Sequence, residues 1–265
     1  MATDSESSTN HDHRRVAIIV GASSGMGRAT ARAFAVAGLR LVVAARSGDR
    51  LASLTAELTD AGADVAAVRA DATVRSDANE VVRSAMARYG RVDALVNCVG
   101  VNIPRRRVDE LTGESWRSMI DGNLTAAFNL TQAILPVFRA QHDGLIVHIA
   151  SSSARTADRS GVAYQAAKAG VAALAHGTMV EERANGVRTT VIYPGLTDTD
   201  FILQRPVPPS RAELDRAIQP QDVAAACLFV VQLPARAHVP DLLLYPADPL
   251  EQGAGKVPTA GAGDA

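Results

Sequence analysis

Seven short apolar runs recur along the chain, at 16–20, 40–45, 64–69, 94–97, 145–149, 188–192 and 241–244, and most are built from Val, Ile, Leu and Ala. Longer segments with helical periodicity separate them, at 26–37, 50–61, 78–89, 114–139, 162–184 and 222–233. A strand that is apolar throughout has both faces buried, and strands linked through helices pair in parallel. The expected fold is therefore α/β, a doubly wound parallel sheet with helices on both faces. Its 265 residues suit one domain of this kind, and no linker or further repeat divides it. That domain is expected over 14–250. The polar stretch 1–13 is expected to be a disordered tail and the Gly/Ala-rich stretch 251–265 a flexible one.

Charge and cysteine usage narrow the function classes. A net charge of −1 offers nothing to nucleic acid or to an anionic membrane surface. No run approaches the ~18 apolar residues that read as a membrane span, and the first residues lack the apolar core of a secretory signal. Cys98 and Cys227 have no Cys-x-x-Cys spacing and read as small buried residues in a reducing compartment, so a cytoplasmic protein is expected. His11 and His13 lack a third ligand and the other histidines are scattered, so no metal site is expected.

In open α/β sheets, ligands bind at the carboxyl ends of strands. The irregular stretches 101–111, 152–160 and 196–216 follow strands and should wall such a site. The first strand ends in "IIVGASSGMG", where Gly21, Gly25 and Gly27 open a helix together with Ser23, Ser24 and Met26. This is a variant of the dinucleotide turn: glycines let backbone N–H groups approach a pyrophosphate at a helix N-terminus. A plain strand–helix turn is the alternative. The second strand ends at Ala45-Arg46, where an NAD site usually carries an acid for the ribose 2′-hydroxyl. Arginine instead suits a 2′-phosphate, which favours NADP(H); if Arg46 is merely solvated, NAD remains open.

The stretch "GVAYQAAKAG" sets Tyr164 and Lys168 four residues apart on one face of a small-residue helix. A lysine beside a phenol favours the phenolate, which would tune a general acid/base. The same pair also fits an ordinary amphipathic helix with a snorkelling lysine.

Taken in order, these motifs resemble the classical short-chain dehydrogenase/reductase family, over roughly 15–246. "GASSGMG" is similar to its glycine turn, with Val20 in place of the usual threonine. "ADAT" sets Asp71 and Ala72 at the adenine position, and "VNCVG" agrees with the Asn-Asn-Ala-Gly element at Asn97 and Gly100 only. "DGNLTAAF" carries Asn123, "IVHIASSSA" carries Ser151 thirteen residues before Tyr164, and "YPGLTDT" supplies Pro194, Gly195, Thr197 and Thr199. The resemblance implies a Rossmann-like fold and interconversion of a carbonyl and a secondary alcohol. It implies Tyr164 as general acid/base and Lys168 on the nicotinamide ribose, lowering the Tyr164 pKa. Ser151 would bind the substrate oxygen, with Ser152 or Ser153 open as substitutes; Asn123 would hold a relay water, or else mark a local helix bend with its side chain satisfied by backbone; Thr197 and Thr199 would hold the carboxamide, or else cap a turn.

The resemblance also implies a homo-oligomer, tetramer or dimer, packed through the segments at 114–139 and 162–184. Two other readings stay open: NAD-dependent alcohol oxidation, and a non-catalytic dinucleotide-binding regulator. The substrate is a small carbonyl or alcohol of unspecified identity. Arg105, Arg106 and Arg107 form either a solvated charge run or a clamp for an anionic substrate, with room for one or two of them at a ligand.

Overall fold

The computed structural model describes residues 14–247. The expected tails at 1–13 and 251–265, with His11 and His13, lie outside the described residues. The chain alternates β1 (Val16–Val20), α1 (Gly25–Val36), β2 (Arg40–Ala45), α2 (Gly48–Asp60), β3 (Val65–Arg69), α3 (Arg75–Tyr89) and β4 (Ala94–Asn97). It continues through α4 (Gly113–Ile120), α5 (Ala126–Gln141), β5 (Gly144–Ile149), α6 (Val162–Glu182), β6 (Val187–Pro194), the short α7 (Arg211–Leu214), α8 (Pro220–Gln232) and β7 (Asp241–Leu244).

All seven strands pair in parallel, in the order β3-β2-β1-β4-β5-β6-β7. Alternate strand residues face opposite layers. Ala17 and Ile19 pack with Phe34 of α1, Leu54 of α2 and Val230 of α8. Ile18 and Val20 pack with Val81 of α3 and with Leu130, Ile134 and Phe138 of α5. The central strands are buried throughout, as their sequences require, whereas β3 and β7 at the edges are partly open. The strand order reverses between β1 and β4, and this switch point opens the crevice that holds the site.

The segment 114–139, expected as one helix, is split: a π turn, Asp121–Thr125, interrupts it between α4 and α5. The cause is Asn123. Its fully buried amide donates to the carbonyl of Met119 at 2.8 Å and of Val101 at 3.0 Å, and its Oδ1 accepts from the Val101 amide at 3.2 Å. A side chain bonded to the carbonyl four residues back competes with the helix ladder and bends it.

Candidate active site

A cleft of about 1320 Å³ runs along the carboxyl ends of the strands, from the glycine turn after β1 to Tyr164 and Lys168 on α6. Residues of all three stretches expected to wall it do so, including Asn102, Arg106, Ser160 and Phe201. Gly21, Ser23, Ser24, Gly25, Met26, Gly27, Arg46, Asp71, Ala72, Gly100, Ser151, Pro194, Gly195, Thr197 and Thr199 also line it. Asn97 and Asn123 are not on its walls; they brace the loop after β4 from behind.

The glycine turn leaves room only for backbone. Gly21 holds φ +83°, and a Cβ on it would sit 2.9 Å from the Cys98 carbonyl carbon. A Cβ on Gly27 would lie 2.2 Å from the Gly21 oxygen. Ser24 caps α1 without a side-chain hydrogen bond, so the first-turn amides beside the cleft take no cap from it. An open helix N-terminus behind a glycine cradle fits a pyrophosphate. Where β2 ends, the Arg46 side chain is largely exposed, with Nη1 3.9 Å from Asp71 Oδ2. Asp71 Oδ1 is itself held by the Thr73 amide at 2.9 Å and hydroxyl at 2.8 Å. Arg50, in the first turn of α2, lines the same end of the cleft.

At the other end, α6 brings Tyr164 and Lys168 to one wall. Its small residues allow this close approach: a Cβ on Gly170 would lie 2.8 Å from Leu124 of the π turn. Lys168 Nζ donates to the carbonyls of Ile149 at 2.9 Å and Val99 at 3.3 Å, and stands 5.9 Å from the Tyr164 ring centroid. Burial pushes its pKa down to about 8. Burial likewise pushes the Tyr164 phenol up to about 12, with Asp158 adding to it; the neighbouring Ser151 hydroxyl and the cations Arg205 and Arg106 pull the other way and lose. The expectation of a phenol drawn down by Lys168 is therefore not met. Two of the three ammonium hydrogens go to backbone carbonyls, and desolvation dominates at the phenol.

Ser151 continues β5 in extended conformation, but the strand geometry ends there, and Ser152–Ala154 form a 3-10 turn. That turn brings the Ser153 hydroxyl to Ser151 Oγ at 2.8 Å and the Ser153 amide to it at 3.2 Å. Ser153 is thus a support for Ser151, a role its sequence position did not suggest. Thr197 Oγ1 donates to the Gly195 carbonyl at 3.1 Å, while Thr199 makes no cap hydrogen bond to the turn Asp200–Gln204 that it precedes. Sequence reasoning also missed His148, which is fully buried beside Asn97, because a lone histidine inside an apolar run carries no positional signal.

A doubly wound parallel sheet with a glycine cradle at its switch point and a serine, tyrosine and lysine at one cleft end defines a dinucleotide-dependent oxidoreductase. The comparisons agree. Residues 15–206 match the model of the short chain dehydrogenase family. An uncharacterized oxidoreductase of Staphylococcus haemolyticus is 34% identical over 88% of this chain and 97% of its own. The 7alpha-hydroxysteroid dehydrogenase of Bacteroides fragilis is 32% identical over 86% of this chain and 91% of its own. The solved alcohol dehydrogenase of the archaeon Thermococcus sibiricus, complexed with 5-hydroxy-NADP, superposes with a TM-score of 0.78 at 29% identity, covering 88% of this chain and 97% of that one. The chain belongs to the short-chain dehydrogenase family and is an NAD(P)-dependent dehydrogenase/reductase.

Proposed function

We propose that this enzyme interconverts a small carbonyl compound and its secondary alcohol, using NADP(H), with Tyr164 as general acid/base. The observation that carries the reading is the cleft end where Ser151, Tyr164 and the buried Lys168 line one wall, in one continuous groove with the glycine cradle. When bound, the nicotinamide supplies or accepts the hydride. The chain's own residues handle position and protons. Tyr164, protonated at neutral pH, can donate to the carbonyl oxygen during reduction. Ser151, oriented by Ser153, can hydrogen-bond the same oxygen and stabilise charge as it develops. Lys168 is proposed for the ribose hydroxyls. Asn123 has both amide hydrogens committed to backbone, so towards a relay water it can only accept, through Oδ1 or its main-chain carbonyl. Thr197 and Thr199 are proposed for the carboxamide, and Asp71 and Ala72 for adenine. Coupled consumption of NADPH with a panel of ketones tests the reading. A folded protein that binds the dinucleotide yet turns over none of the panel would support the non-catalytic regulator instead.

The cofactor choice rests on Arg46, with Arg50 nearby. NADPH is expected to bind more tightly than NADH, and Arg46→Ala should remove about 10- to 100-fold of that preference, the value of one charge-assisted contact. Fluorescence titration with both cofactors checks it; equal dissociation constants in the wild type would favour the NAD-dependent reading. Gly27→Ala tests the cradle. Its added methyl collides with the Gly21 carbonyl, so about 1–3 kcal/mol of stability should be lost together with dinucleotide affinity. Unchanged thermal midpoint and affinity would remove the pyrophosphate assignment. A homo-oligomer is also proposed. Trp116 on α4, Phe128 on α5 and Val180 on α6 are exposed apolar residues on the helices expected to pack, and light scattering reads the assembly directly.

A further inference from the structure

The run Arg105, Arg106, Arg107 separates in the structure. Arg105 is exposed, and Arg107 is exposed and paired with Asp109 at 3.0 Å. Arg106 is different. It is only 6% exposed, and it lines the cleft with Tyr164. Its Nη2 donates to the Gln204 carbonyl at 2.6 Å, while its buried Nε has no hydrogen-bond partner. No carboxylate pairs with it: Arg106 has no ion pair among the described residues. The charged and titratable groups around it are Arg205, Tyr164 and Asp158. Asp158 is already engaged, accepting from the Ser160 amide at 2.8 Å and from the Ser160 hydroxyl. Arg205, on the same wall, adds a second cation that has no ion pair among the described residues.

A buried guanidinium with an unsatisfied donor and no carboxylate in direct contact is costly. Its position is held from two sides. The Arg106 backbone packs on Gly161, the residue preceding α6, and its guanidinium grips the end of the turn Asp200–Gln204. That turn carries Phe201, whose ring lies 5.9 Å from the Tyr164 ring. The charge is therefore fixed at the substrate end of the cleft, opposite the nicotinamide-side residues. A planar fork of donors suits a carboxylate.

We infer that the substrate of this enzyme is an anion, a short oxoacid or hydroxyacid whose carboxylate is bound by Arg106 with help from Arg205 while its carbonyl or hydroxyl meets Tyr164 and Ser151. The inference rests on the oxidoreductase reading above and narrows it to carboxylate-bearing compounds.

The test compares straight-chain 2-oxo and 3-oxo acids of three to six carbons with their methyl esters, which keep the carbonyl and lose the charge. Wild-type enzyme with NADPH should prefer at least one acid over its ester by tenfold or more in kcat/KM, mainly through KM. In Arg106→Gln that acid-to-ester ratio should fall by about 10- to 100-fold, and in Arg205→Gln by less. Circular dichroism and NADPH titration establish that each variant is folded and cofactor-competent. Esters used as well as acids by the wild type, or an unchanged ratio in a folded Arg106→Gln, overturn the inference while leaving the oxidoreductase reading intact. If Arg106→Gln does not fold, the wild-type ratio and calorimetric titration of the wild type with each acid and ester decide. If no carbonyl is turned over, the oxidoreductase reading fails on its own. Calorimetry with NADP+ present then still separates the cases: saturable binding of an acid and not of its ester supports the anion site, and binding of neither overturns it.

Discussion

Replacing Tyr164 with phenylalanine should leave the fold and dinucleotide binding near wild type and lower kcat/KM for carbonyl reduction by about 10²- to 10⁴-fold, the usual range for loss of a positioned general acid. The substitution removes one oxygen from a ring that stays packed against Phe201, so little else should change. The phenol pKa of about 12 sets a second expectation. Below that value the acid form dominates, which serves reduction. Alcohol oxidation instead needs the base form, whose small fraction grows about tenfold per pH unit. Wild-type oxidation should therefore climb steeply from pH 7 to pH 9, and the residual rate of the variant should not. Stopped-flow or steady-state absorbance of the nicotinamide reads both directions. A variant that is folded, binds cofactor and still reduces ketones within about threefold of wild type would remove Tyr164 as proton donor.

The second large effect concerns acid stability and comes from His148. Its ring is fully buried on β5, opposite Asn97 of β4. The Thr131 hydroxyl donates to the Ala127 carbonyl at 2.9 Å, so at 3.2 Å from it His148 Nε2 must carry the hydrogen and donate. Nδ1 then accepts from Asn97 Nδ2 at 3.1 Å, and Asn97 Oδ1 accepts the Val99 amide at 3.0 Å. The neutral ring thereby holds the loop that also offers its Val99 carbonyl to Lys168. Burial, and then the nearby Lys168, push the His148 pKa down from 6.5 to about 3. Between those values the unfolded chain binds a proton that the folded one refuses, so stability is lost as pH falls from 6.5 towards 3. From pH 7 to pH 4 this contributes about 3 kcal/mol. His148→Asn keeps polar partners for the network and does not titrate. Urea unfolding at both pH values should show the wild type losing about 3 kcal/mol more than the variant. Carboxylates held down by arginines, such as Glu57 beside Arg32 and Arg28, titrate in both proteins and cancel. Equal losses in the two proteins would mean that His148 does not resist protonation.

Together the two variants separate chemistry from scaffold. Tyr164→Phe is expected to silence turnover in a stable protein. His148→Asn is expected to change the response to acid, with the catalytic wall left in place.

Much of the architecture was legible in the chain because it follows from local chemistry. The apolar runs became the seven strands within a few residues of their expected bounds, since parallel strands buried on both faces need continuous Val, Ile, Leu and Ala. The glycine turn was legible for the same reason: Gly21 and Gly27 occupy places where any Cβ would collide with backbone. Tyr164 and Lys168 were legible as a pair because helical spacing alone sets them on one face. What only the tertiary structure decided depends on atoms brought from distant stretches. The split of the helix at Asn123 required the Val101 backbone to come within hydrogen-bond reach. The high pKa of Tyr164 required the burial that Phe201 and the surrounding loops impose, which no spacing reveals. Of three consecutive arginines, the sequence could say only that not all would face one way. Burial against Gly161 and a carbonyl from Gln204 selected Arg106 for the cleft, because desolvation of a charge is a property of everything around it and not of the residue itself.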